Sequence, residues 1–370
     1  MRSTERILTT HTGSLPRPPE LKDAAAAGDD SALRDAVGTV VRLQTDAGID
    51  IVNDGEMSKP DYATYLAERA SGFGAESVAF RAPLCDAIDH PEWGRALAAT
   101  MGARESRACV AEVTRTDVAS VHRDIANLTA AAGAAGAVGT FLTAASPGVI
   151  TQFLPNRYYP TEQSYLEALV EAMRPEYLAI HEAGITLQLD CPDLTAKGRR
   201  SEFEQTDLHA WKGIMASHIE ALNAATADIP PEAMRMHLCW GNYEGPHTHD
   251  LPLREIIKII FTARPALLSF EAANPRHEHE WRVFEDVKVP EDKVLIPGAI
   301  DSTTNYVEHP ELVAQRLVRF AKLVGRERVI AGTDCGFATF ANVVPVFPTV
   351  AYAKLRSLAQ GAELASRELW

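Results

Sequence analysis

The sequence predicts a (β/α)8 barrel of the TIM type, with residues 1–370 as one domain and an inserted irregular segment near residues 70–107. Short β-branched runs recur along the chain, and most are followed by an Ala/Leu-rich stretch with helical spacing. Strands that alternate with helices indicate a parallel sheet covered by helices, and eight such units close a barrel. An open doubly wound sheet is the alternative, but no Gly-x-Gly-x-x-Gly motif follows any strand.

Nine runs are candidate strands, which is one more than the barrel needs. Seven are clear, and they lie at residues 49–54, 138–143, 185–190, 234–240, 266–271, 294–300 and 328–334. The weaker candidates are residues 7–10 and 108–113. We expect one of these two to lie outside the barrel, and the sequence does not decide between them.

Three stretches between the strands have clear helical spacing, at residues 162–183, 208–225 and 310–324. Pro175 should break or kink the first of them, because proline lacks a backbone donor. Pro310 and Glu311 begin the third, where proline and acidic residues are favoured. Residues 70–107 contain several glycines and prolines with little periodicity, and they look like an insertion or a lid.

Composition excludes several classes of partner. Hydrophobic residues make up 46% of the 370 residues, enough for a sizeable core. The formal net charge of −14 argues against nucleic acid and anionic membranes, which favour basic faces. No apolar stretch has the length of a signal peptide or a membrane span, so we expect a cytoplasmic protein.

Five cysteines, an odd number, suit free thiols or metal ligands better than disulfides. The sequence leaves open whether the chain forms a homo-oligomer.

Polar and ligating residues stand where several predicted strands end, at the rim where barrel enzymes carry their sites. These residues are Glu56, Asp190, His237, Cys239, Glu271 and Cys335. His237 and Cys239 are two positions apart, so they point to one face of their strand. A set of one histidine, two cysteines and a carboxylate suits zinc, whereas thiolates disfavour magnesium and calcium. The sequence therefore predicts a zinc site formed by His237, Cys239, Glu271 and Cys335.

The charge of such a ligand set indicates what the metal would do. Two thiolates and a carboxylate carry about −3 against +2 for zinc, so the site is net negative. A bound substrate thiol would then be deprotonated yet electron-rich, and hence a good nucleophile. A hydrolase would more naturally use neutral histidines around an open water position. The ligand set therefore favours alkylation of a thiol.

Six motifs carry a resemblance to a known family. They are residues 9–16 (TTHTGSLP), 54–56 (DGE), 189–192 (LDCP), 237–239 (HLC), 269–271 (SFE) and 334–336 (DCG). In these motifs the chain resembles the cobalamin-independent methionine synthase family in its catalytic zinc barrel, over nearly the whole chain and in the family's order.

This resemblance implies a (β/α)8 barrel in which residues matching His237, Cys239, Glu271 and Cys335 hold zinc. It also implies that an amino-acid thiol is held by the backbone near Gly13 and Ser14. Carboxylates matching Glu56 and Asp190 would bind the ammonium group of that substrate, which their charge suits. The implied partners are a small-molecule thiol and an alkyl donor.

Two departures from the family matter. The long methionine synthases have a second, N-terminal barrel that helps to bind the folate, and this chain resembles the short, single-barrel branch. The catalytic histidine of the family would fall within residues 301–304 (DSTT), which contain no histidine. Asp301 is the candidate catalytic residue there, and His309 lies further on. The short branch also resembles epoxyalkane:coenzyme M transferase, which opens an epoxide with a thiol.

Three hypotheses follow. The first is a zinc-dependent methyltransferase that acts on homocysteine or a similar thiol. The second is addition of a thiol to an epoxide or another alkyl electrophile, supported by the missing histidine and the single barrel. The third is a non-catalytic zinc- or thiol-binding protein.

Two His-x-His pairs, at residues 247–249 and 277–279, are candidates for a second metal site. The favoured interpretation is that these histidines hydrogen-bond the loop backbone around the pocket. Trp240 and Tyr243, which follow Cys239, are candidates for the wall of the pocket, and packing in the core is the alternative for both.

Overall fold

Seven parallel strands form the central sheet of this α/β fold. The computed structural model describes residues 1–18, 21, 30–75, 84–101, 107–340 and 345–370. The strand order in the sheet is β1-β4-β5-β6-β7-β8-β9, and β2 pairs with β3 in a separate antiparallel ladder. The strands are β1 (Ile51–Val52), β2 (Ala70–Ala75), β3 (Arg107–Arg115), β4 (Gly139–Ala145), β5 (Thr186–Asp190), β6 (Met234–Leu238), β7 (Leu267–Phe270), β8 (Val294–Ile300) and β9 (Gly332–Thr333).

All seven clear strand candidates are confirmed, and the two weaker ones have different places. Residues 108–113 lie in β3, outside the parallel sheet. Residues 7–10 lie between the two edge strands. The Thr10 amide donates to the Ala331 carbonyl at 2.8 Å, and the Ile51 amide donates to the Thr9 carbonyl at 3.0 Å. The sheet is therefore curled, with its first and last strands joined through this N-terminal segment.

Helices follow most of the strands of the sheet. They are α1 (Asp30–Asp46), α2 (Leu66–Arg69), α3 (Cys85–Asp89), α4 (Pro91–Met101), α5 (Ala119–Ala135), α6 (Pro147–Phe153), α7 (Glu162–Glu182), α8 (Leu208–Ala225), α9 (Leu253–Ile260), α10 (Val283–Asp286), α11 (Pro310–Val324) and α12 (Pro348–Leu369). The predicted helices 208–225 and 310–324 are confirmed as α8 and α11. In the described ranges, no helix has the length and apolar character that crossing a membrane requires.

Local signals explain where the predicted helices begin. Thr161 caps α7 by accepting from the Ser164 amide, and the Ser164 side chain completes a capping box. Asp207 caps α8 by accepting from the Ala210 amide at 2.8 Å. The α7 helix contains Pro175 in its interior and continues to Glu182, so it is not broken there, and the alternative of a kink stays a prediction.

The segment near residues 70–107 has regular structure wherever it is described. It contains β2, the short helix α3, and α4, which runs from Pro91 to Met101. The expectation of an irregular segment is therefore wrong for these residues, because β2 has a partner strand in β3 that pattern alone did not reveal. Residues 76–83 and 102–106 lie outside the described residues, and the role of the segment as an insertion stays a prediction.

Polar side chains fill part of the interior that the sheet encloses. The Arg235 guanidinium donates to Thr10 Oγ1 at 3.0 Å and to the His11 carbonyl at 2.6 Å. Its carbon lies 4.0 Å from the centre of the Phe141 ring. Burial lowers the pKa of Arg235 to about 9. This arginine ties β6 to the N-terminal segment across the interior.

A close approach between β8 and the end of β9 makes Gly298 difficult to replace. A Cβ at this position would lie 2.0 Å from Asp334 Oδ1 and 2.7 Å from Asp334 Cα. We expect Gly298→Ala to lower the free energy of unfolding in urea by about 1–3 kcal/mol, the usual cost of overpacking. Gly213→Ala is the matched control, because nothing lies within 4 Å of its Cβ position in α8. Equal stability of the two variants would contradict this account.

Candidate active site

The register of the sheet brings three polar side chains to one level near the carboxyl ends of the strands. Asp190 of β5 pairs with His237 of β6, which in turn pairs with Ser269 of β7. His237 Nδ1 lies 3.2 Å from Ser269 Oγ, so this neighbour fixes the orientation of the ring. Parallel strands in a fixed register therefore place the candidate ligands and a candidate substrate carboxylate side by side.

His237, Cys239 and Cys335 form a buried group at this rim. One ligand atom from each lies within 4.8 Å of the other two. The two sulfur atoms are 3.6 Å apart, and both cysteines are free thiols. His237 Nε2 is buried and has no hydrogen-bond partner among the described residues. The structure thus brings together three of the four predicted zinc ligands.

The pKa values of the two thiols in this group are shifted in opposite directions. The hydrogen bond with Cys335 lowers the pKa of Cys239 well below its usual value, and His237 and Arg199 add to the shift. The same hydrogen bond, with burial, raises the pKa of Cys335 well above its usual value. The Gly241 amide also donates to Cys239 Sγ at 3.3 Å. The buried pair therefore holds one thiolate readily, and a second ionisation requires a cation.

Glu271, the fourth predicted ligand, lies beside the group. Its Oε1 accepts from the Trp240 amide at 2.6 Å, and its Oε2 accepts from Asn274 Nδ2 at 2.9 Å. Burial raises the pKa of Glu271 well above its usual value, and the charge of Cys239 adds to the effect. As placed, its carboxylate is not part of the three-residue group, and its role as a ligand stays a prediction.

Asp334 connects the two loops that carry these residues. Its Oδ1 accepts from the Ala272 and Ala273 amides, each at 2.8 Å, and its Oδ2 accepts from the Asn274 amide at 2.8 Å. Burial raises the pKa of Asp334 to about 6, and the charge of Asp301 adds to it. This carboxylate therefore fixes the loop after Glu271 against the turn that contains Cys335.

Two further carboxylates, Glu56 and Asp190, line the same cavity as the thiols. Burial raises the pKa of Asp190 well above its usual value, and the neighbouring Glu56 adds to the shift. Burial also raises the pKa of Glu56, against the opposing charges of Lys59 and Arg17. Glu56 Oε2 is buried without a hydrogen-bond partner in the described part of the chain. Both groups would be stabilised as anions by a cation placed between them.

The backbone at Glu56 is held in an unusual conformation. Glu56 has φ of 59°, a left-handed value that is rare for residues other than glycine. Its amide donates to Asp54 Oδ1 at 2.9 Å, which stabilises the turn. Strain of this kind is found at functional sites more often than elsewhere.

Gly13 and Ser14 lie close to both halves of the site. A Cβ on Gly13 would lie 2.7 Å from Glu56 Oε1, and a Cβ on Gly336 would lie 2.0 Å from Ser14 Oγ. The Phe337 amide donates to the Ser14 carbonyl at 2.8 Å. The N-terminal segment therefore passes between the candidate ammonium site and the Cys335 turn, and its role in holding the substrate stays a prediction.

One cavity of about 350 Å³ joins these groups. Its apolar wall includes Tyr62, Leu84, Leu97, Ala98 and Phe340, of which Leu97 and Ala98 belong to α4. Other lining residues that the sequence did not reveal are Arg199, Asn242 and Thr339. They belong to no motif, and the only available signal was their position in segments that follow the ends of strands.

Asp301 has a different environment from the one expected of a catalytic acid. Its Oδ1 accepts from the Thr303 amide at 3.0 Å and from Thr303 Oγ1 at 2.9 Å, and its Oδ2 accepts from Thr304 Oγ1. Among the described residues that line the cavity, Asp301 is absent. Its catalytic role stays a prediction without support from this geometry.

The nearby histidines are also engaged elsewhere. His309 caps α11 by accepting from the Glu311 amide at 3.2 Å. His11 Nε2 lies 2.7 Å from Gln44 Oε1, and burial lowers the pKa of His11 to about 4. Neither lines the cavity in the part of the chain that the structure describes.

Three histidines of the His-x-His pairs contact carboxylates. His247 Nδ1 and His277 Nε2 lie 2.7 Å and 3.0 Å from Asp250 Oδ2, and His249 contacts Asp89. Burial opposes the charge of His277, but hydrogen bonds to Asp250 and Glu280 outweigh it and raise the pKa of His277 to about 9. These contacts are with side-chain carboxylates. Among the described residues, the favoured interpretation, hydrogen bonds to the loop backbone, is supported by the contact of His247 Nε2 with the Tyr243 carbonyl at 3.0 Å.

Comparisons with known proteins relate the chain to two kinds of enzyme, methionine synthases and a 2-hydroxypropyl-CoM lyase. It is 25% identical over 376 residues to the methionine synthase of Saccharolobus solfataricus, covering 98% of this chain and 95% of the relative. It is 23% identical over 369 residues to the 2-hydroxypropyl-CoM lyase of Xanthobacter autotrophicus, covering 91% of this chain and 86% of the relative. No protein-family model matches the chain.

A solved structure has the same fold. The B12-independent methionine synthase from Shewanella sp. W3-18-1, in complex with selenomethionine, has a TM-score of 0.74 at 20% sequence identity. The match covers 98% of this chain and 99% of that chain. The resemblance predicted from the six motifs is therefore confirmed.

Proposed function

We propose that this chain is a zinc-dependent methyltransferase that alkylates the thiol of homocysteine or a similar molecule. The observation that carries the proposal is one cavity lined by His237, Cys239 and Cys335 and by the two buried carboxylates Glu56 and Asp190. The similarity of nearly the whole chain to methionine synthases supports it. The substrates are then a small thiol and an alkyl donor.

We also propose that residues 1–370 form one (β/α)8 domain. Residues 7–10, which hydrogen-bond to both edges of the sheet, would be the eighth strand. The segment near residues 70–107 would then be an insertion that contributes α4 to the cavity wall.

The residues of the buried group fit zinc. Two sulfur ligands of a tetrahedral zinc, each at about 2.3 Å from the metal, lie about 3.8 Å apart, which is close to the 3.6 Å between Cys239 and Cys335. His237 Nε2, buried without a hydrogen-bond partner among the described residues, supplies a third donor. Ser269 holds the other ring nitrogen, as the partners of metal-bound histidines do. Glu271 is the proposed fourth ligand.

When bound, zinc would supply the charge that keeps the substrate thiol deprotonated at neutral pH. The other tasks belong to side chains of this protein. Glu56 and Asp190 bind and orient the ammonium group of the acceptor. The apolar wall of the cavity, which includes Tyr62 and Phe340, excludes water and so protects the thiolate from solvation.

Addition of a thiol to an epoxide is the second candidate function. The similarity to the 2-hydroxypropyl-CoM lyase favours it, as does the absence of histidine from residues 301–304. The two functions share the activated thiol and differ in the donor.

A matrix of donors and acceptors tests the function. Zinc-loaded protein is incubated with homocysteine or coenzyme M, each against trimethylsulfonium, methyltetrahydrofolate and epoxypropane, and thioethers are measured by mass spectrometry. We expect homocysteine to be methylated, and methyltetrahydrofolate to be a slow donor because residues 301–304 offer no imidazole. Turnover of coenzyme M with epoxypropane alone would establish the second candidate. Tight thiol binding without any turnover would indicate a non-catalytic protein.

Metal content tests the ligand assignment. The purified protein should contain about one zinc per chain by elemental mass spectrometry, and Cys239→Ser or Cys335→Ser should lose it, because thiolates supply much of the affinity. Cys109→Ser is the matched control, since Cys109 is a buried thiol in β3. Full zinc occupancy in Cys335→Ser would show that the assignment is wrong.

Acceptor binding tests the carboxylate pair. We expect Asp190→Asn to weaken homocysteine binding by about 2–5 kcal/mol, as removal of one partner of a buried charge pair does. Binding of 4-mercaptobutyrate, which lacks the amine, should change far less. Titration calorimetry of both thiols makes the comparison, and an equal loss for the two would mean that Asp190 has only a structural role.

A further inference from the structure

The Tyr243 hydroxyl is a polar group in the cavity that none of the proposed tasks uses. It is buried and has no hydrogen-bond partner among the described residues. Tyr243 lines the cavity together with His237, Cys239 and Cys335. A buried hydroxyl that makes no hydrogen bond is costly, so this group calls for a ligand that satisfies it.

The loop that carries Tyr243 fixes the position of its ring. The ring stacks on His247, with 4.3 Å between ring centres and an angle of 12°. His247 is itself held by Asp250 Oδ2 at 2.7 Å and by the Tyr243 carbonyl at 3.0 Å. The ring of Trp93 in α4 lies 5.5 Å from the Tyr243 ring, centre to centre, and its Nε1 donates to the Glu244 carbonyl. The packing of the tyrosine ring against His247 and Trp93 therefore holds the hydroxyl in place.

Two glycines leave room for this ring. A Cβ on Gly241 would lie 2.5 Å from Tyr243 Cε1, and a Cβ on Gly245 would lie 2.8 Å from Tyr243 Cδ2. Gly241 also has φ of 125°, which side chains rarely adopt. The space that the ring occupies thus depends on the absence of side chains at these two positions.

Gly241 lies between the tyrosine ring and one of the thiols. Its Cβ position is 2.5 Å from Tyr243 Cε1, the carbon next to the one that bears the hydroxyl, and its amide donates to Cys239 Sγ at 3.3 Å. Arg199 lies on the same side, with Nη1 3.0 Å from the Gly241 Cβ position. The positive charge of Arg199 would stabilise a negative charge that develops on the tyrosine oxygen.

We propose that Tyr243 is the proton donor to the departing atom of the alkyl donor, and that it suits a donor whose carbon–oxygen bond breaks. This inference rests on the proposed alkylation of a thiol, which both candidate functions share. Asp301, His11 and His309 each hydrogen-bond to another group of the protein. Tyr243 therefore donates the proton in place of the histidine that residues 301–304 lack. Phenol transfers a proton readily to a departing alkoxide, which is far more basic than phenolate, and only poorly to a weakly basic amine.

The step balances without a further reactant. The thiol proton leaves to solvent when the acceptor binds. The sulfur–carbon bond then forms as the carbon–oxygen bond breaks, and both electrons of that bond go to oxygen. The oxygen takes the Tyr243 proton, and solvent returns a proton to the phenolate, whose charge Arg199 stabilises in the meantime.

Tyr243→Phe tests this role, because it removes the hydroxyl and keeps the ring that packs on His247. Homocysteine is alkylated with epoxypropane, which leaves as an alkoxide, and with trimethylsulfonium, which leaves as a neutral thioether. We expect kcat with epoxypropane to fall about 10²- to 10⁴-fold, the usual contribution of a positioned general acid. The rate with trimethylsulfonium, the zinc content and the affinity for homocysteine should change less than about twofold, since none of them requires this proton.

Tyr352→Phe, a partly buried tyrosine in α12, is the control for loss of a hydroxyl outside the cavity. An equal loss of rate with both donors in Tyr243→Phe would overturn the inference and leave thiol alkylation intact. So would a wild-type enzyme that uses trimethylsulfonium but not epoxypropane. If the wild-type protein alkylates neither homocysteine nor coenzyme M with either donor, the inference falls together with the proposed function.

Discussion

The parallel register across β4 to β8 is the constraint on which the candidate site depends. Ala145, Asp190, His237, Ser269 and Ile296 are successive partners along one row of the sheet. A slip of one residue in any of these strands would turn its side chains to the opposite face and separate the candidate ligands from the candidate substrate carboxylates. Backbone hydrogen bonds between strands thus determine which side chains meet, and the loops complete the cavity around them.

Beyond this row, buried carboxylates hold the loops. Asp334 accepts three backbone amides from the segment after β7, and Asp250 joins His247 to His277 below Tyr243. Such groups are costly to bury unless their hydrogen bonds are made, so each one favours a single arrangement of the loop around it. In the site itself, Glu56 Oε2 and His237 Nε2 are buried without hydrogen-bond partners among the described residues.

Sequence periodicity was sufficient for the seven sheet strands and for the rim on which His237, Cys239 and Asp190 lie, because both follow from local patterns of two and of 3.6 residues. Periodicity did not distinguish residues 7–10 from residues 108–113, because the two segments differ in the distant strand with which each one pairs. Asp301 had the sequence position of a catalytic acid, yet its neighbours Thr303 and Thr304 occupy its oxygens. The place of Tyr243 depends on two glycines and on a helix 150 residues earlier, which no short motif encodes.

Closure of the sheet through its N-terminal segment also affects how the protein folds during its synthesis. Thr12 hydrogen-bonds to Thr333 across 321 residues of sequence, and Gly13 and Ser14 follow directly. Contacts of this separation give a high contact order, which slows folding. In a growing chain on the ribosome, residues 7–10 therefore stay unpaired on the side that faces Ala331 until that residue has emerged. The candidate site is completed only then, because Cys335 follows Ala331 in the chain.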